Sequence, residues 1–234
     1  MALENLRIKW LAAYYVATAT KVVPVRKLTL RRMTLEPHRY AGLAEGLAEL
    51  PLPDTLRIGR RRMAIPQTLD ELSSSLTYGQ RMYLTQHEGY DVGVILRLVA
   101  GYYYPLYTGR PWDERKALSF GAKVLSSLVV ELYPVSKHLI GLMEQLTKRE
   151  STLLHREPTK QEKAAGIERL AKFADLTALL FLQDSFKTSA EQIMLAPYDD
   201  CLVRFMLANE QNKYAERLAE VHRKENAPKK NRKP

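Results

Sequence analysis

The chain has 234 residues, 46% of them hydrophobic and 26% charged, with a formal net charge of +10, a single cysteine and five histidines. That apolar fraction excludes a globally disordered chain, and the length suffices for one large or two small cores. No apolar run approaches the roughly 18 residues a membrane span needs; the best, Leu118 to Tyr133, is interrupted by Lys123, Ser126, Ser127 and Glu131 and meets Pro134.

The N-terminus lacks the charged, apolar and small-residue order of a secretion signal. The lone Cys201 forms no intrachain disulfide and no Asn-x-Ser/Thr acceptor occurs, so an unsecreted protein is expected. Divided along the chain, the charge is +7 over residues 1 to 65 (12 Lys/Arg, 5 Asp/Glu), 0 over 66 to 150 (9 and 9), −2 over 151 to 220 (9 and 11) and +5 over 221 to 234 (6 and 1). Basic ends on a neutral body suit nucleic acid or an acidic protein surface, or equally a solvated face and a disordered tail.

Residues 1 to 66 read as a mixed region. Leu28, Leu30, Met33 and Leu35 alternate with polar residues in a strand-like pattern, and the piece from Leu43 to Leu50 reads as helical. The Leu-Pro-Leu-Pro of 50 to 53 ends it and marks a linker, because a residue before proline is pushed out of the α region. Leu56 and Ile58, then Gly59, then Arg60 to Arg62 with Met63, Ala64 and Ile65, read as two short extended segments about a glycine turn closed by Pro66.

Residues 67 to 224 read as a helical domain. Thr68 with Glu71, Thr77 with Gln80, Thr159 with Glu162 and Ser189 with Gln192 have the spacing at which a hydroxyl caps the third amide of a helix. Helices are expected from Tyr78 to His87 and from Val92 to Gly101, with a loop over Tyr102 to Gly109. The next runs from Pro111 through Ala117, Phe120, Val124, Leu128 and Leu132 to Pro134, and a further one carries Leu139, Leu142, Met143 and Leu146. The segment from Ile167 to Phe181 is apolar over so much of its circumference that it must be buried centrally or packed on a partner. The last helix opens at Pro197 and turns polar at Asn209, so its C-terminal half projects outward. Residues 225 to 234 read as a basic disordered tail. The fold class is thus mainly α, a helical bundle with a small N-terminal β element.

The motifs exclude more chemistry than they offer. The histidines, His38, His87, His138, His155 and His222, form no i, i+4 pair and no Cys/His cluster, so no metal or other cofactor is expected. No glycine-rich phosphate loop or nucleophile elbow occurs, and the adjacent Asp199 and Asp200 diverge by about 100° on a helix, too far to act as an acid/base dyad. No enzymatic activity is expected. Tyr102, Tyr103, Tyr104 and Tyr107, beside Arg110 and Trp112, have the composition of a binding hot spot. The same rings would fill a corner between helices or stack on bases. Arg60, Arg61 and Arg62 read as an exposed turn or a phosphate clamp.

The stretches R-M-A-I-P-Q-T-L-D-E-L (Arg62 to Leu72) and L-T-Y-G-Q-R-M-Y-L (Leu76 to Leu84) resemble the opening of small tail-assembly or virion-associated proteins of tailed bacteriophages. A-G-I-E-R-L-A-K-F-A (Ala165 to Ala174) and L-A-P-Y-D-D-C-L-V-R-F (Leu195 to Phe205) resemble the second half of that group. The resemblance spans about residues 55 to 222. It implies a helical, non-enzymatic morphogenesis protein acting in the host cytoplasm or the virion. Its expected partners are phage structural proteins such as a tape-measure protein, with homo-oligomerisation beside them and no membrane. A tail-assembly chaperone is the expected role, a minor virion protein at the portal or tail the second, and a nucleic-acid-binding protein using the basic ends the third.

Overall fold

A computed structural model describes residues 27–35, 46–47, 49–85, 92–155, 158, 163–164 and 166–225. The expectations for the cap at Thr159 and Glu162 and for the tail beyond Glu225 lie outside the described residues.

The expected hairpin is present. β1 (Thr55–Ile58) pairs antiparallel with β2 (Arg61–Ala64), and Gly59 takes the first turn position at φ 57°, a left-handed conformation in which a side chain is strained. Leu56 and Ile58 enter the core, and the backbone amide of Arg57 donates to Glu131 at 3.0 Å. The strand-like reading of Leu28 to Leu35 is corrected. Within it Thr29 makes an isolated bridge, to Leu128, and α1 (Leu30–Leu35) follows with Leu30 and Met33 inward.

The capping signals lie where the sequence puts them. In α2 (Leu69–Ser75) the Thr68 hydroxyl accepts from the Glu71 amide at 3.2 Å, while Glu71 returns its bond to Gln67 one residue upstream. At the start of α3 (Tyr78–Thr85) the box is reciprocal, with Gln80 N to Thr77 Oγ1 at 3.2 Å and Thr77 N to Gln80 Oε1 at 3.0 Å.

The loop expected over the tyrosines is a helix. α4 (Val92–Thr108) runs through Pro105. Proline lacks the N–H that would bond the carbonyl four residues back, here Gly101. The buried Gln80 side chain takes that place, its Nε2 donating to the Gly101 oxygen at 3.1 Å. Gly101 also has no room for a side chain: a Cβ there would stand 2.8 Å from the Tyr83 ring and 3.0 Å from Leu84.

The single long helix expected up to Pro134 is likewise two. α5 (Glu114–Val124) ends in a turn at Leu125 to Leu128, and α6 (Val129–Leu154) starts afresh and passes through Pro134. A distant segment makes the break. Leu30 and Arg31 amides donate to the carbonyls of Ser127 and Leu125 at 3.0 and 2.8 Å, and Val129 N donates to Leu28 O at 2.9 Å. These bonds satisfy groups the interrupted helix leaves open.

A 3-10 helix (Ile167–Phe173) leads into α7 (Ala174–Phe186), which ends at left-handed Lys187; then come α8 (Ala190–Leu195) and α9 (Tyr198–Glu225). The main core joins Leu28, Leu47 and Ile58 of the N-terminal part to α2 through α6 and the start of α9. A smaller cluster of Tyr78, Leu182, Ile193 and Cys201 fixes α7 and α8 to α3 and α9.

Candidate functional site

The aromatic cluster belongs to this core, which corrects its reading as a docking surface. Tyr103 has no exposed surface, and Tyr102, Tyr104 and Trp112 are buried. Tyr103 stands edge-on to Tyr102 at 4.8 Å between centroids, Tyr104 edge-on to Phe120 at 6.1 Å, and Trp112 lies 5.8 Å from Tyr83. The rings fill the angle where α3, α4 and α5 meet. Burial raises the Tyr103 phenol, with Tyr102 adding to it, and the hydroxyl finds no partner among the described residues. Of the expected set, only half-buried Tyr107 and exposed Arg110 reach solvent.

The three arginines do not converge either. Arg60 occupies the hairpin turn, while Arg61 and Arg62, as neighbours in a strand, project to opposite faces. The Arg61 guanidinium donates to the Tyr107 carbonyl and sits 4.9 Å over the Tyr107 ring. It braces the hairpin against the end of α4, leaving Arg60 and Arg62 exposed.

At the opposite end, α3, α6 and α9 are tied by a buried polar group. Arg81 Nε donates to Glu150 Oε1 at 2.7 Å and its Nη2 pairs with Oε2, while Tyr198 Oη donates to Oε1 at 2.6 Å. Burial works against the Arg81 charge, but the Glu150 hydrogen bond and charge outweigh it, so the guanidinium is held above its usual value. Burial, then the bond to Glu150, raises the Tyr198 phenol. Both carboxylate oxygens are matched, and the arrangement anchors the base of α9.

From that anchor the apolar surface turns outward. Leu176 and Leu180 lie four residues apart on one face of α7, with Phe173 at its N-cap three residues before them, and the three are 54%, 56% and 48% exposed. The other side of α7 places Leu182 in the smaller core and stacks Phe181 on Phe205 at 5.4 Å. Central burial, one of the two arrangements expected for this segment, is therefore not what the chain adopts. On α9, Val203, Leu207, Tyr214, Leu218 and Val221 are all exposed. Beside Val203 an open groove of about 600 Å³ separates α2, α6 and α9, floored by Leu153, Leu202 and Val203 and rimmed by Asp70, Glu71, Asp199 and Arg149. Arg149 Nη1 bonds Asp70 at 2.9 Å, leaving acidic oxygens in excess on the rim.

Reactive groups are few among the described residues. Cys201 is fully buried, and burial, reinforced by Asp200, lifts its thiol from 9.0 to about 11, the opposite of an activated nucleophile. No described group of three or more His, Cys, Asp or Glu side chains is placed to hold a metal ion, and no helix of the described residues is long and apolar enough to cross a membrane. No protein-family model, curated protein or solved structure matches the chain.

Proposed function

We propose that this chain is a non-enzymatic morphogenesis protein of a tailed bacteriophage, a tail-assembly chaperone that holds a helical segment of a tape-measure protein until the tail tube forms around it. The observation that carries the binding role is the exposed pair Leu176 and Leu180 on α7, extended by Phe173 at its N-cap, with the reverse side of α7 anchored in the chain's own core. Such a row offers an amphipathic helix the i, i+3, i+7 contacts of helix-on-helix recognition. Burying two leucines and a phenylalanine from both sides supplies several kcal/mol, at about 1.5–3 kcal/mol for each fully buried side chain. The phage setting comes from the sequence resemblance.

The test is retention of partners by the tagged full chain from producing cells, with and without nuclease treatment, at about 0.15 M and about 0.5 M salt. The reading predicts a long helical virion protein that survives high salt and is lost from Leu176→Glu/Leu180→Glu. Retention of nucleic acid alone, lost at high salt, would overturn it in favour of the basic ends and the exposed Arg60 and Arg62.

A further inference from the structure

Near its middle α9 is still tied to the body of the protein, by the Asn209 Nδ2 bond to the Leu153 carbonyl at 3.3 Å. Beyond Asn209 the helix continues to Glu225, with every residue exposed except half-buried Lys213. The stripe of Val203, Leu207, Tyr214, Leu218 and Val221 spans only about 60° of the helix circumference over about 27 Å of length. That is the width of a seam with one other helix, narrower than the face a helix turns to a globular core.

Glu210 and Arg217 border the same edge of the seam, about one turn on either side of Tyr214. A second copy laid parallel would set Glu210 beside Glu210 and Arg217 beside Arg217. Laid antiparallel about Tyr214, the two copies set Glu210 against Arg217.

We propose that α9 is a self-association helix, pairing antiparallel with α9 of a second copy about a two-fold axis beside Tyr214. An axis between residues 213 and 214 places Glu210 of each copy level with Arg217 of the other, twice per dimer. Leu207 of each falls between Leu218 and Val221 of the other. The end of each helix comes level with Leu202 of the other. Glu210 already accepts from Lys213 of its own helix at 2.8 Å, which also balances the two lysines that approach across the axis. Apolar burial supplies the affinity; the exposed ion pairs select direction and register. The pairing uses a face separate from the α7 row, so it stands or falls independently of partner capture.

Sedimentation of the purified full chain between about 1 and 100 µM tests this, with helix content checked by circular dichroism. The wild type is expected to form a concentration-dependent dimer, and Leu218→Glu to be monomeric with unchanged helix content. Glu210→Arg and Arg217→Glu should each weaken the dimer by about tenfold or more, and the two together should restore it to within about threefold of wild type. A wild type that remains monomeric at about 100 µM would overturn self-association. A double variant no tighter than either single one would overturn the antiparallel register.

Discussion

Gln80→Leu isolates the contact that lets a helix run through a proline. The side chain is almost fully buried, donates to the Gly101 carbonyl at 3.1 Å and accepts from the Thr77 amide at 3.0 Å. Leucine keeps the volume and removes both bonds. A buried carbonyl left without a donor costs about 1–3 kcal/mol, and half of a capping box adds about 0.5–1 kcal/mol, with half-buried Thr77 within reach of water. The expected loss is about 2–3 kcal/mol. The cause is checked by repeating the substitution with Pro105→Ala. That second change restores a backbone N–H that reaches Gly101 along the helix, so Gln80→Leu should there cost only about 1 kcal/mol, a coupling of about 1–2 kcal/mol. Urea unfolding followed by circular dichroism measures all four proteins, with the denaturant slope confirming one transition. If Gln80→Leu costs the same in both backgrounds, within about 0.5 kcal/mol, the Gly101 carbonyl is not what Gln80 serves and the explanation of α4 fails.

Tyr103→Phe removes a buried hydroxyl that has no partner among the described residues, so equilibrium unfolding should show it neutral or stabilising by up to about 1 kcal/mol; a clear destabilisation would mean the hydroxyl is bonded. Glu150→Ala strands Arg81 and Tyr198 together and should cost about 3 kcal/mol in the same assay, less than a wholly buried pair because the Arg81 side chain keeps 21% of its surface in solvent; a loss below about 1 kcal/mol would show that the trio does not anchor α9. Burial raises the Cys201 thiol to about 11 and the Tyr78 phenol to about 12, so the unfolded chain ionises first as pH rises; stability is intact below about pH 9 and falls towards pH 12, which pH-dependent urea midpoints would show as a decline, and a flat profile would contradict the burial of these groups.

What the sequence made legible was local. The hairpin about Gly59 and the caps at Thr68, Thr77 and Ser189 are decided by residues within four of each other, and the chain folds as they indicate. Pro105 fell within an expected loop and Pro134 read as a helix end, because the missing donor is visible in sequence. The group that relieves the first, Gln80, lies 21 positions from Gly101. The break at Leu125 to Leu128 was hidden for the same reason, since the backbone of Leu28 to Arg31 holds it from about a hundred residues away. Composition could not separate a hot spot from a core corner: both use tyrosine and tryptophan, and only the packing of α3, α4 and α5 decides. The outward projection of α9 was readable from its polar turn at Asn209. Its exposed stripe was equally present in the spacing of Leu207, Tyr214, Leu218 and Val221, but spacing alone does not tell a covered apolar face from an open one.

In the proposed function the C-terminal helices, not the tyrosine cluster, meet the partner. A photo-crosslinking amino acid placed at Leu180, with Leu118 on α5 as an equally exposed control, reads this out directly in producing cells. A crosslink from position 180 to one long helical virion protein, and none from 118, is expected. Equal crosslinking from both positions, or none from either, would contradict it.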